Sequence, residues 1–465
     1  MKTQFLIVAL VAHVISAPTS GDDNWPQFRG HGGLGIGSGN PPAEWDVQTQ
    51  HNVSWKTPLP GLGHSAPIVW GDRVFVTTAI NADTDHPSVA TGWAGAGGAS
   101  AADTGVWTWQ LMCLQLRSGK VLWTRDVHVG EPAIKRHLKS SHANCTPATD
   151  GNFVVAFFGS EGLHCFDIAG RPVWKRGFGK LHSGPYDAPD LEWGFASSPV
   201  IHNGHIVVQC DCLNANFVSI IDLKTGAEIR RIDRAGEVAT WSTPLVVPTQ
   251  DRQQIVCNGY HQMAGYDWKT GVRIWHLNHG GDVPVPTPLF ANGLIYLTNG
   301  HGRSPTYAIH PTAVGDLTPS GHDSENSGLA WWQPRGGSYM PTPLVTGQRL
   351  YTCNDNGRLD VRDAITGVLI YRQRVGTGSQ TYSASAVASG ESIYFASERG
   401  QITVIKPGDV FQRVATNDMQ DVVMATPAIS GDRLLIRCVR NLYCLAPNSS
   451  LVDTSCGMFP REVSP

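Results

Sequence analysis

At 465 residues the chain exceeds an ordinary single domain, yet its 51 glycines, 30 prolines and 15 tryptophans, with only 16% charged residues, describe tight turns and flat apolar segments rather than helices. The formal net charge of −3, with no basic run, lacks the cationic footprint that a phosphate backbone demands, so nucleic acid is not an expected partner.

Helical character is confined to the N-terminus. Met1 and Lys2 precede an apolar core, Phe5–Ile15, that ends in the small residues Ser16 and Ala17, the order of a signal peptide over residues 1–17. That core is too short to remain in a bilayer, and no later stretch approaches the roughly 18 apolar residues of a membrane span. The mature protein is therefore expected to be exported, periplasmic or secreted, without a transmembrane anchor. Residues 18–60 form an N-terminal segment in which Gly30, Gly32 and Gly35 match the spacing of a dinucleotide fingerprint. Pro41 and Pro42 follow where that fingerprint requires a helix, so the match is accidental. Asn52–Thr57 then reads as the last strand of a repeat with nothing before it.

From residue 61 to 447 one unit recurs. In its clearest copy, Thr240–Leu277, four runs rich in β-branched and aromatic residues are separated by Pro, Gly, Asp or Asn, the pattern of a four-stranded meander. One such sheet cannot bury both faces and has to stack on copies of itself. Eight copies align on Pro67, Pro147, Pro199, Pro244, Pro288, Pro343, Ala386 and Pro427, in first strands such as Ser65–Val69, Thr243–Val246 and Thr426–Ile429. Second strands follow turns that tolerate positive φ, among them Gly71-Asp72, Asn203-Gly204 and Asn292-Gly293. Third and fourth strands are joined by turns such as Asp222–Gly226, Asp267–Gly271 and Asp363–Gly367, in which Asp and Thr can bond backbone amides and Gly supplies the special dihedral. A Trp follows in several copies, and Trp123, Trp174 and Trp275 are expected to lie flat between neighbouring sheets. The second copy carries a degraded turn, Asp167–Trp174, and the eighth stops after its third strand at Leu442–Ala446.

A spare fourth strand at one end and a missing one at the other solve each other's edge problem. The sequence predicts an all-β, eight-bladed propeller of four-stranded antiparallel blades, closed by the strand around Val53–Thr57 and followed by a C-terminal tail, 448–465.

The Trp25–Gly30 start, the Thr-Pro-apolar strands and the Asp-x-x-Thr-Gly turns followed by Trp together resemble the PQQ-like (pyrroloquinoline quinone type) repeat family, over roughly Asn24 to Ala446. The resemblance implies the propeller fold. It leaves two activities open, because the family includes quinoprotein alcohol dehydrogenases, which use pyrroloquinoline quinone and calcium, and binding propellers similar to the outer-membrane assembly factor BamB, which have no cofactor.

With the first strand of each blade on the axis, second-to-third loops and inter-blade connectors share one face of the ring. Three long departures from the repeat fall there: an insertion in blade 1, Ala79–Val106, a connector between blades 1 and 2, His128–Asn144, and a connector between blades 2 and 3, Gly179–Phe195. Long loops on a rigid scaffold are where binding surfaces are built, so this face is the candidate site. Its expected mouth residues are His142, Asn144, Trp193, Trp241, Arg335 and Tyr339, with packing between blades the competing role for both Trp193 and Trp241. A fourth insertion, Pro311–Gly328, falls on the opposite face and reads as a solvated loop, and His202 and His205 flank a hairpin turn with no third metal ligand.

The ten cysteines have no CxxC spacing, which argues against a zinc ribbon or thioredoxin-like site. Cys210 and Cys212 point to one face of a strand, Cys438 and Cys444 flank a turn, and buried thiols and disulfides are both open for them. A quinoprotein dehydrogenase of the resembling kind would need a Glu/Asn/Asp calcium shell, an Asp base and a vicinal Cys-Cys pair. No adjacent cysteines occur, and GxSxG, HExxH and Walker sequences are absent. The expected function is an exported, noncatalytic propeller binding a protein or another envelope component, with no catalytic residue, metal or cofactor. The alternative is a pyrroloquinoline quinone and calcium-dependent dehydrogenase acting on an alcohol or sugar.

Overall fold

A computed structural model describes residues 23–92, 98–249, 252–278, 280–321 and 326–447; the expected signal peptide, the tail 448–465 and Cys456 lie outside them. Eight antiparallel sheets follow one another around a ring, and in blade 4, for example, the strands are Leu245–Val247, Gln254–Cys257, Met263–Asp267 and Arg273–Leu277. Blade 8 takes its first three strands from the C-terminal end and its fourth from Val53–Pro58, which pairs antiparallel with Asn441–Leu445 and sets Trp55 opposite Cys444. The ring is therefore closed as the sequence predicts, and no blade is left with an open seam. Among the described residues no helix is long and apolar enough to cross a membrane.

At the axis the first strands have no neighbour to pair with on their inner edge, and a buried N–H left unpaired there is costly. The Ser/Thr step of the repeat answers this need. In six places the axial backbone N–H of one blade donates to the side-chain hydroxyl of the next: Ala66 to Thr146 at 2.9 Å, Thr146 to Ser198 at 2.9 Å, Ser198 to Thr243 at 3.0 Å, Thr287 to Thr342 at 3.0 Å, Thr342 to Ser385 at 2.9 Å and Ser385 to Thr426 at 3.1 Å. Blade 1 has Ala66 where the others have a hydroxyl. At that junction stands the buried Arg437, which satisfies acceptors instead, its Nη1 donating to Ser65 O, Ser65 Oγ and Thr77 O.

The outer strands are held by the turn signature. Trp174 lies against Gly226 of the next blade, where a Cβ would come within 2.6 Å of the ring, and its indole N–H donates to Leu223 O at 2.9 Å. Trp55 repeats this over Gly119, bonding Leu116 O at 2.7 Å, and Trp331 over Gly367, bonding Ala364 O at 2.8 Å. Trp123 sits in the same way on Gly170, but the turn of blade 2 is shorter and its Nε1 is buried without a partner. Trp275 departs from the pattern, because blade 5 has no such turn; it is fully buried among Ile295, Leu297 and Tyr307 of blade 5, and its N–H donates to Gln254 Oε1.

One expectation is corrected here. The Pro311–Gly328 insertion is not a free solvated loop: Gly315–Asp316 adds to blade 4 as a parallel fifth strand beside Trp275–His276, and Ala313 and Leu317 are buried against that blade. It covers an edge that would otherwise be open to another chain. The glycine-rich N-terminal stretch is a plug. Arg29 is fully buried at the axis, donating to the carbonyls of Gly33, Leu34, Thr342, Pro343 and Ala386, and a Cβ on Gly35 would strike its guanidinium. Burial without a facing carboxylate pulls its pKa down to about 9. Ile36–Gly37 then pairs in parallel with blade 7, so the segment straps the ring from within.

All nine described cysteines are buried free thiols. Cys210 and Cys212 share one core with Cys145 and Cys165, as alternation along a strand requires, and burial pushes the Cys212 thiol up to about 12.

The axial ring makes a direct prediction. Thr342→Val is close in shape but removes the acceptor of the Thr287 N–H, and is expected to lower unfolding free energy by about 1–3 kcal/mol in urea denaturation, while Thr342→Ser retains most of the stability.

Candidate functional site

The channel widens on the loop-bearing face into a chamber of about 540 Å³, walled by connectors and second-to-third loops of the blades and floored by Phe28 of the plug. The three long segments form one clasp above it. In the insertion, Asp103 receives a bidentate bond from Arg136 of the first connector, Nε at 2.6 Å and Nη2 at 3.1 Å, and faces His142 Nε2 at 3.1 Å. Burial opposes the Asp103 charge, but His142 and Arg136 outweigh it and hold the carboxyl below the ordinary range. Ser100 of the insertion bonds the backbone of Glu192 in the second connector, and Glu192 Oε2 accepts from the Lys135 N–H at 2.9 Å. Across the chamber, Glu398 of blade 7 joins the clasp: Lys139 Nζ lies 2.5 Å from its Oε1, and Thr381, Ser383 and the Gly92 N–H also donate to it.

Of the six expected mouth residues, Asn144, Trp193, Trp241 and Tyr339 line the chamber. Asn144 is fully engaged in the clasp, accepting from Ser141 and donating to Ser140 Oγ and Phe195 O. Trp193 and Trp241 lie against each other, ring centroids 5.6 Å apart, with their N–H groups bonded to Gly98 O and Gly194 O, so what they offer the chamber is carbon surface. His142 does not reach it; its side chain is 5% exposed beside Trp107 and serves the Asp103 bond. Arg335 is exposed and stands outside the lining. His202 and His205 both pack edge-on against Trp268 at the outer side of blades 3 and 4.

Sequence reasoning missed the chamber's charged residues, Lys139, Asp282, Asp355 and Glu398, which sit in connectors and short loops without a motif; their one signal is position on the loop-bearing face. Tyr339 lies near Asp355 and Asp282, with burial and those charges pushing its hydroxyl up to about 12, and its ring is 5.3 Å from His301. His301 Nδ1 in turn meets Asp282 Oδ1 at 2.5 Å.

The sequence profile described as outer membrane protein assembly factor BamB matches residues 110–318, less than half of the chain. Among solved structures, BamB from Moraxella catarrhalis is similar at 12% identity with a TM-score of 0.50, over 79% of this chain and 98% of that one. A europium-containing methanol dehydrogenase is similar at 10% identity with a TM-score of 0.62, over 90% of both chains. The fold is that of a PQQ-like β-propeller. No curated protein sequence matches the chain.

The chamber does not offer what pyrroloquinoline quinone and its metal demand. Pyrroloquinoline quinone carries three carboxylates, yet among the described lining residues Lys139 is the sole Lys or Arg, and it is already paired with Glu398. Asn144 is engaged, Asp282 faces His301, and among the described residues no three His, Cys, Asp or Glu side chains gather to hold a metal. The residues present do not fit that group.

The chamber's histidines make stability pH-dependent. Burial, with the Arg437 and Arg136 charges, lowers His64 to about 3, and burial, with Lys139 and Arg136, lowers His137 to about 4, against an ordinary 6.5. Unfolding releases both to take up protons, so their stabilisation is complete above about pH 6.5 and is lost as pH falls toward the folded values, each withdrawing up to about 2 kcal/mol by pH 5. Calorimetric melting from pH 7.5 to 5 is expected to show a falling Tm, and His64→Gln a shallower fall.

Proposed function

We propose that the protein is an exported, noncatalytic propeller that binds a protein or another component of the cell envelope through its loop-bearing face. The observation that carries this reading is the clasp. Three segments from blades 1 to 3 and a carboxylate from blade 7 are locked together by bonds that engage their titratable groups, giving a preformed surface rather than a free base or nucleophile. Tyr186 stands 40% exposed on that face, stacked at 5.3 Å on Tyr260, an amphipathic aromatic pair of the kind enriched in interfaces. The likeness to an outer membrane protein assembly factor supports the reading, and the Met1–Ala17 order supports export.

Dehydrogenase activity is the second reading, favoured by the likeness of fold to the methanol dehydrogenase. Two measurements separate them. A photocrosslinker at Tyr186 is expected to capture a discrete envelope partner, whereas one at Val272, 63% exposed on the outer turn of blade 4, is not; equal capture at both positions, or none at Tyr186, would sink the docking face. Purified protein given pyrroloquinoline quinone with calcium or europium is expected to leave an electron-accepting dye unreduced by methanol or glucose. Turnover there would establish the dehydrogenase instead.

A further inference from the structure

The chamber's polar inventory is one-sided. Lys139 and Glu398 satisfy each other, which leaves Asp187, Asp282 and Asp355 as the remaining charged carboxylates of the lining, with His301 set against Asp282. Asp355 is half-buried, its carboxyl is bonded by the backbone amides of Asn356 and of its own residue but by no Lys or Arg side chain among the described residues, and burial raises its pKa. His64 also belongs to the lining, and its Nε2 is buried without a hydrogen-bond partner, in a ring that burial and the Arg437 and Arg136 charges keep neutral. Apart from the paired Lys139, the described lining side chains of fixed charge are all carboxylates, and one half-buried without a bonded cation, as Asp355 is, is costly until a ligand supplies the charge.

The remaining wall is carbon. Trp193 and Trp241 present ring surface because their N–H groups are bonded to backbone, and the Tyr339 ring stands near both Asp282 and Asp355. Aromatic faces beside carboxylates attract a cation through the ring quadrupole and the opposite charge together, and aliphatic carbons attached to that cation gain by leaving water. An anionic ligand would meet the carboxylates with no unpaired Lys or Arg to balance it.

We propose that the chamber is a binding site for a primary ammonium group on an aliphatic stem, held with its charge at Asp355 beside Tyr339 and its stem against the Trp193–Trp241 wall. Such a group is found in free diamines and in a lysine side chain of a partner. Only the lysine source rests on the docking function proposed above. The site itself does not.

Calorimetric titration of the full chain with 1,5-diaminopentane and, in parallel, with 1,5-pentanediol tests the charge requirement at matched length. The diamine is expected to bind at least tenfold more tightly than the diol, and Asp355→Asn to weaken the diamine at least tenfold while leaving the diol unchanged. Equal affinity for diamine and diol, no binding of either, or an unchanged diamine affinity in a folded Asp355→Asn would overturn the proposal. Should that variant not fold, the diamine–diol comparison on the unaltered protein still decides. A lysine tripeptide with blocked ends and its Nε-acetylated form distinguish the sources: tighter binding of the free-amine peptide than of the diamine identifies a partner's lysine, and weaker binding a free amine. Loss of Tyr186 crosslinking with diamine binding intact would remove the docking reading alone.

Discussion

The ring depends on how eight axial strands satisfy their inner backbone edge. A strand facing a channel has no strand beside it, and eight such edges converge on one small volume. At six junctions the hydroxyl of a Ser/Thr step accepts the N–H of the preceding blade, so one side chain both caps an unpaired donor and fixes the angle between two sheets. Carbonyls at the axis have the converse need, for donors. Where Ala66 breaks the series, Arg437 supplies donors to Ser65 and Thr77, and where the carbonyls of blades 6 and 7 point inward, Arg29 collects them. Both arginines are fully buried against carbonyls and both are lowered to about 9, which marks them as pieces of backbone satisfaction rather than ion-pair partners.

A second constraint acts at the rim, where Trp from one blade covers the turn glycine of the next. It depends on a missing Cβ and on a carbonyl at a fixed place. Both conditions hold for Trp55, Trp174 and Trp331, and the shortened turn of blade 2 meets only the first, leaving the Trp123 N–H unpaired. Blade 3 has Arg230 in place of Trp, and it lies against Gly271 and bonds Thr270 O at 3.0 Å, so stem packing and a donor replace the indole.

These two contacts explain why the fold was legible. Each joins neighbouring blades, repeats in register along the chain, and is made by residue types that little else demands, so the blade count, the closing strand at Val53 and the loop-bearing face could all be read from the chain. The interior of the site was not legible for the opposite reason. The Lys139–Glu398 pair joins blade 1's connector to blade 7, and Asp282 and Asp355 meet around Tyr339 from different blades. No periodicity marks contacts made by closing the ring. Aromatic residues at the mouth were visible because Trp193 and Trp241 are rare types in long loops, while His142, equally visible, turned inward because Asp103 offered a buried carboxylate. The Pro311–Gly328 segment misled for a related reason: its polar composition suggested solvent, but a sheet edge on blade 4 needed cover, and backbone pairing asks little of side chains.

Loop rigidity and chamber chemistry follow from the same bonds. Asp103, Glu192 and Glu398 are each held by two or more donors, so the clasp takes its charges out of play for a ligand while fixing the wall that a ligand would meet. What remains reactive toward a guest is then set by the residues the clasp does not use. On the side of blades 5 and 6 those are carboxylates and a phenol, and on the side of blades 2 and 3 they are indole rings. Asp355, half-buried with no Lys or Arg bonded to it, and the buried His64 Nε2 face the chamber, so the groups this scaffold leaves open there are ones a guest can meet.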